Sequence, residues 1–496
     1  MLFYNEDWIH FLMTRYAAGI CVDEQYIKDF IYEFKGTQVT DFVMNLNGTV
    51  STSPSEILDT FAKKYTVTEE NGVKVDYKDT FAALAYGIYE KQGLDIHKIW
   101  IDALKEIGIN PWISIRMNDS HGNGGVPELR KGAHVEKYSE YWVSAHREAS
   151  HNFDMAFDYS YPWVRELMLS YIDEQLSRYD VYGIELDFMR DLKYFSCGKR
   201  ALGREIMKRF IESVFEIKAK HEVRYGHKIK LSLIFPPSPN LVIEEGIDIQ
   251  DFLDKLDTVV IIGRWNTTDT DMPIELWRQI LARSSVKLAC GQQLLFAPCF
   301  GKPRVTASVA MAFGQAIANL SRGADAVYLY NYMDMGEYEL PIDWIYESSI
   351  KNGENRSLIL NNIGKAETLL AQKRSHAVSY CDSQNYYGAE YSRLPIFFDG
   401  NGKYELVKIP VGELAQGAGA TLLLGINSEE LSSEDFEIFV NSKRAEYSGR
   451  RRIEPKIYPR ECYLFPINNE ISPIAYAEIR INKKCTVEYV EIEIAP

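Results

Sequence analysis

Tyr182-Gly183-Ile184-Glu185-Leu186-Asp187-Phe188-Met189-Arg190 reads as a strand whose two faces differ in kind. Successive side chains of a strand point to opposite sides, so Ile184, Leu186 and Phe188 share an apolar face while Glu185 and Asp187 share the other. The two acids then sit with Cα atoms ~6.5–7 Å apart. An apolar face suits a layer of covering helices. Two like charges stacked inside a fold cost stability, which favours a functional reason for them over a salt-bridge network tied to Arg190 or Arg116.

Working outward, short apolar β-type runs alternate with helical patterns for about 340 residues, the signature of a parallel sheet with crossover helices. The expected strands are Gln38–Leu46, Trp112–Met117, Met155–Phe157, Tyr182–Met189, Lys230–Phe235, Val259–Ile262, Val286–Cys290 and Ala326–Tyr330. Helices are expected over Ile96–Ile107, Pro162–Tyr179, Leu202–Lys218, from Pro273, over Val305–Leu320 and near Asn361–Gln372. Eight strands close a (β/α)8 barrel. An open doubly wound sheet has fewer strands and a glycine-rich phosphate loop after the first. Asn45-Leu46-Asn47-Gly48-Thr49 is no such loop. Glu185 and Asp187 thereby fall at the C-terminal end of strand four, where barrel enzymes carry out their chemistry.

Beyond about residue 374 the period changes to short strand-like runs separated by turn residues, ending in the alternating Val487-Glu488-Tyr489-Val490-Glu491-Ile492-Glu493-Ile494. The expectation is a barrel over 1–374 and a β-sandwich over 375–496. The length of 496 residues fits two domains.

Bulk properties narrow the partners. Net charge is −15, and Arg450-Arg451-Arg452 is too short a basic run to grip a phosphate backbone, so neither nucleic acid nor an anionic membrane is expected. Seven scattered cysteines with no C-x-x-C pair suggest reduced thiols. Met1–Asp7 has acids where a secretory signal needs positive charge, and no run is apolar enough to span a bilayer, so the expectation is a cytoplasmic protein. The count of 32 Tyr, 23 Phe and 8 Trp fits large cores, and leaves rings over for a sugar-binding cleft. A homo-oligomer is compatible with all of this.

The strand-four pattern resembles that of a family of bacterial glycoside-hydrolase-like barrels, G-[I/L]-x-[L/F]-D-[W/F/Y]-x-R. Thr37–Asp41, Trp112–Asp119 and Gly323–Tyr332 are similar to the same family. The resemblance covers about residues 1–375 and implies the barrel fold and glycosidase-type chemistry.

Glycoside hydrolysis needs carboxyls on opposite sides of a sugar, ~5–5.5 Å apart for retention and ~6.5–9.5 Å for inversion. Neighbours on one strand hardly flank a ring, so Asp187 needs a partner from another loop. Arg264-Trp265-Asn266-Thr267-Thr268-Asp269-Thr270-Asp271 supplies two acids and an aromatic platform. Asp271, just before Met272-Pro273, suits a helix cap, which leaves Asp269 as the proton donor. Asp187 is then nucleophile or base, Glu185 tunes it or binds a substrate hydroxyl, and Trp265 is the stacking ring. Arg116, Asn118, Asp119, His121, Asp158, Arg190, Arg264, Asn331 and Asp334 are the candidate substrate ligands.

Zincin, P-loop and G-x-S-x-G patterns are absent, and Lys230 and Lys287 lie at strand starts, the wrong end for a Schiff base. No cofactor or metal is expected. The rival enzyme reading is a metal-dependent hydrolase using Asp119, His121, Glu185 and Asp187; the non-enzymatic rival is a carbohydrate-binding protein on an inactive barrel.

Overall fold

The computed structural model describes residues 1–70, 72–120, 131–150, 152–263, 268–293, 295–299, 302, 305–330, 332, 353–379, 394–428, 431–452, 461–468 and 471–496. Eight parallel strands close into a barrel: β1 (Leu2–Asp7), β2 (Asp41–Asn45), β3 (Asn110–Arg116), β4 (Gly183–Asp187), β5 (Lys230–Phe235), β6 (Thr258–Ile261), β7 (Lys287–Gln292) and β8 (Ala326–Leu329). The chain folds as a TIM barrel followed by a β-sandwich.

The alternation read from the sequence sorts the barrel into two apolar bodies. Phe42, Ile113, Ile184, Leu186, Leu231 and Val259 point outward and pack under the helices. Phe3, Val43, Trp112, Val260, Ala289 and Ala326 fill the interior. Near its floor, Asp41 Oδ1 accepts from the Trp112 indole N–H at 2.8 Å and from Asn110 Nδ2 at 3.0 Å.

Two corrections apply to the strand assignment. Met155–Phe157 is not a barrel strand: Asn152–Met155 is a 3-10 turn, and Phe157 forms an isolated bridge with Trp142. The first strand is instead Leu2–Asp7, passed over because Asn5, Glu6 and Asp7 are poor strand formers. Pairing with β2 and β8 on both sides overrides that local preference, and all three side chains are buried. The two errors cancel in the count, so Gly183–Asp187 is indeed the fourth strand. The helix expected from Val305 begins at Val309, capped by Ser308, because Val305–Thr306 pairs with Leu295–Phe296.

The sandwich comprises two antiparallel sheets. One contains β9 (Arg374–Ala377), β10 (Ile396–Asp399), β12 (Gly419–Asn427), β15 (Gly449–Arg452), β16 (Glu461–Ile467) and β18 (Lys484–Ala495). The other contains β11 (Glu405–Pro410), β13 (Phe436–Val440), β14 (Lys443–Arg444) and β17 (Ile474–Ile481). The first of these sheets packs on the barrel side through Ala377, Leu423 and Tyr489 against Phe296, Ala307 and Met311. Among the described residues no helix is long and apolar enough to cross a membrane, and Cys21, Cys197, Cys290, Cys299, Cys462 and Cys485 are free thiols.

Gly183 sets how β4 meets β3. A Cβ at this position would lie 2.3 Å from the Trp112 ring, which occupies the space. Gly183→Ala is expected to lower stability by about 1–3 kcal/mol through overpacking. Urea denaturation checks this, and unchanged stability would show that the ring moves freely.

Candidate active site

Strand β4 places Glu185 and Asp187 inside the barrel at successive levels, both essentially fully buried. In an eight-membered ring β8 lies diametrically opposite β4. Two tyrosines, also two residues apart, cross the interior from that side. Tyr328 donates its hydroxyl to Glu185 Oε1 at 2.7 Å, and Tyr330 donates to Asp187 Oδ2 at 2.8 Å. Phe3 stacks on Tyr328 with ring centres 5.6 Å apart, fixing the deeper ring.

The two acids nevertheless sit in different surroundings. Among the described residues, the hydrogen-bond partners of Glu185 are neutral: Tyr328, Ser232 and Ser114. Burial pushes its pKa up to about 8, and the neighbouring charge of Asp187 pushes the same way. Asp187 Oδ1 accepts the backbone N–H groups of Met189 at 2.9 Å and Arg190 at 3.1 Å. Burial holds the pKa of Asp187 above the usual carboxylate value too, although the Arg116 charge, the Tyr330 hydroxyl and the Met189 N–H pull it down.

Arg116 anchors the charged level. Its guanidinium bonds Asp7 and Asp119, each at 3.0 Å, and Arg190 Nε stands 3.8 Å from Asp119. Asp7 also accepts the N–H of Ile9, capping the helix Trp8–Ala17, so one carboxylate ties the first helix to the site. The Asn47 side chain pairs with both backbone groups of Arg116, accepting its N–H at 2.9 Å and donating to its carbonyl at 3.0 Å. The amide thus continues the β2–β3 ladder past its end.

The structure therefore gathers Glu185, Asp187, Arg116, Asp119 and Arg190 into one region of contact. Asn118 is occupied otherwise: its amide donates to the carbonyls of Phe157 and Lys193 and accepts from Phe157 N–H, bracing two loops. Asp158 accepts from the N–H groups of Ser160 and Ser196 and lies 3.4 Å from Lys199. Asp269 lies on the loop after β6. Among its contacts, its Oδ1 accepts Asp271 N–H at 3.0 Å and its carbonyl accepts from Gln315 at 2.8 Å. His121, Arg264, Trp265, Asn331 and Asp334 lie outside the described residues.

Asp7, Asn47, Tyr328 and Tyr330 were not singled out in the sequence. Tyr328-Leu329-Tyr330 carried the signal for two of them, since its spacing matches that of Glu185 and Asp187 on the facing strand. Among the described residues no group of three or more His, Cys, Asp or Glu side chains could hold a metal ion.

No protein-family model matches the sequence, and no curated protein matches it. Solved structures do overlap with it. The glycoside hydrolase domain of PgaB (BpsB) from Bordetella bronchiseptica aligns at 10% identity and a TM-score of 0.38, covering 66% of this chain and 93% of that one. A glycoside hydrolase family 18 N-acetylglucosaminidase from Paenibacillus barengoltzii aligns at 10% identity and a TM-score of 0.31, covering 58% and 68%. A GH36 alpha-galactosidase from Geobacillus stearothermophilus aligns at 10% identity and a TM-score of 0.34, covering 97% of this chain and 55% of that one. Overlaps of this size assign neither substrate nor mechanism.

The raised pKa of Glu185 has a consequence for stability. Between about 4.5 and about 8 the folded chain holds a proton that the unfolded chain releases. Its contribution is complete below that window and is lost as pH rises through it. Glu185→Gln is neutral throughout, so it should gain on the wild type by about 1.4 kcal/mol per pH unit across the window. Denaturant titrations of both proteins at pH 5 and 8 check this; a pH-independent difference would mean that Glu185 is already ionised.

Proposed function

We propose that the protein is a glycoside hydrolase, with residues 1–374 as its catalytic domain and 375–496 as an accessory domain. The observation that carries this reading is the unequal pair at the C-terminal end of β4. Two carboxyls two residues apart are held by two tyrosines, one among neutral partners and one beside Arg116. Environments that push two acids toward different protonation states are the means by which such enzymes assign roles.

In this reading Asp187 is the member that ionises, against the burial that raises its pKa. Three hydrogen-bond donors and a nearby guanidinium favour its anion, and it lies one level nearer the mouth than Glu185. It acts on the anomeric carbon as nucleophile, or as base toward a water. The leaving oxygen takes its proton from an acid on another loop, and Asp269 after β6 is the proposed donor. Glu185 stays protonated beneath, sparing the interior a second negative charge. Arg116 and Asp119 fix the charge around Asp187, and Asn118 and Asp158 hold the surrounding loops. Arg190, His121, Arg264, Trp265, Asn331 and Asp334 are the proposed contacts to a carbohydrate, with Trp265 stacking on it. The proposed substrates are small oligosaccharides attacked from an end.

A panel of aryl glycosides tests the reading. On any that the wild type hydrolyses, Asp187→Asn should lose roughly 10²–10⁴-fold in kcat while still binding, and Glu185→Gln should lose less. A folded Asp187→Asn protein with most of the wild-type rate would reduce the β4 pair to a structural network.

A further inference from the structure

The sandwich presents a second feature, independent of the barrel site. On β10 the burial alternates, with Ile396 and Phe398 in the core and Phe397 and Asp399 outside. Phe397 is 75% exposed, far more than its ring would be if it served the fold. Register places it opposite Thr486 on β18, and Thr486 opposite Asn427 on β12. A phenyl ring, a hydroxyl and an amide thus form one row across three strands. Asp399 and Lys484 form the next pair of the ladder, two residues along each strand and on the same face.

A wall rises beside this row. Asp399 accepts both the backbone N–H and the side-chain amide of Asn401, at 3.0 and 2.8 Å, and Asn401 in turn accepts Lys403 N–H at 3.1 Å. Gly400 and Gly402, at φ 82° and 81°, permit the tight course of that loop. Lys403 reaches on to Glu405 at 2.7 Å. Row and wall line an open groove of about 770 Å³, within the range of small-molecule sites.

We propose that this concavity is a saccharide-binding site on the sandwich. The lining chemistry selects the occupant. Among the described lining residues Asp399 and Glu405 balance Lys403 and Lys484, so their charge calls for neither an anion, a nucleic acid nor a cation. One exposed ring set among polar groups lacks the contiguous apolar core of a protein interface. A pyranose matches what is present: its C–H face covers the Phe397 ring, and its hydroxyls meet acceptors on Asp399 and Glu405 and donors on Asn427, Lys484 and Thr486. The site would hold a glycan on the accessory domain, whether or not the barrel hydrolyses it.

Affinity gel electrophoresis of the full chain through soluble starch, xylan, mixed-linkage β-glucan and galactomannan tests this, in an Asp187→Asn background chosen to slow any turnover. At least one polysaccharide should retard the protein. Phe397→Ala should weaken that retardation at least tenfold, Phe397→Tyr should preserve it, and Thr486→Val should weaken it less. Aryl-glycoside hydrolysis by Phe397→Ala in the otherwise wild-type chain should be unchanged, which separates this site from the barrel reading. Equal retardation of Phe397→Ala and its parent overturns the proposal. So does no retardation by any of the four, or a change of oligomeric state in Phe397→Ala.

Discussion

Two carboxyl groups at successive levels of one strand, inside a closed barrel, cannot both carry charge at low cost. Desolvation raises the pKa of each, and the charge of one raises that of the other. The architecture resolves this across its full diameter. Tyr328 and Tyr330 project from the facing strand at the same spacing, each giving one hydroxyl to one acid. The rings also fill the interior, so one pair of residues supplies both packing and polar partners. Phe3 stacked on Tyr328, and Trp112 lodged over Gly183, are the apolar complement of that arrangement.

The difference between the acids arises at the rim, from β3 and β1. Arg116 is buried between Asp7 and Asp119, and its field reaches Asp187. Its backbone is fixed in turn by the Asn47 amide, and the loop after it by Asn118. A charge placed by so many independent contacts is preorganised, the condition that the proposed catalysis would need for electrostatic stabilisation to be effective. Among the described residues no such cation bears on the deeper level, and burial keeps the pKa of Glu185 raised there.

Much of this was legible from one strand. The alternation in Ile184–Phe188 separates an outward apolar face from an inward acidic one, and the barrel bears out both directions. Local pattern failed where long-range pairing decides. Leu2–Asp7 holds three polar residues that look like a solvated terminus, yet they are buried because β2 and β8 flank them. Met155–Phe157 looks apolar enough for a strand, but has no barrel neighbour to pair with. The tyrosine partners were missed because their significance depends on which strand faces which, and that follows only from closure of the ring. Asn118, named as a ligand on the polar loop after β3, has its amide bonded to the backbone of Phe157 and Lys193, contacts between distant loops that no local pattern announces.

The most direct measurement is the titration of Glu185 itself, by carbon NMR on a chain labelled at the glutamate side-chain carboxyls and assigned with Glu185→Gln. The expected result is a carboxyl that titrates at about 8, moving higher in Tyr328→Phe as the hydroxyl that favours its anion is removed. A Glu185 resonance titrating in the ordinary glutamate range, near ~4.3, would contradict the division of charge on which the site is built.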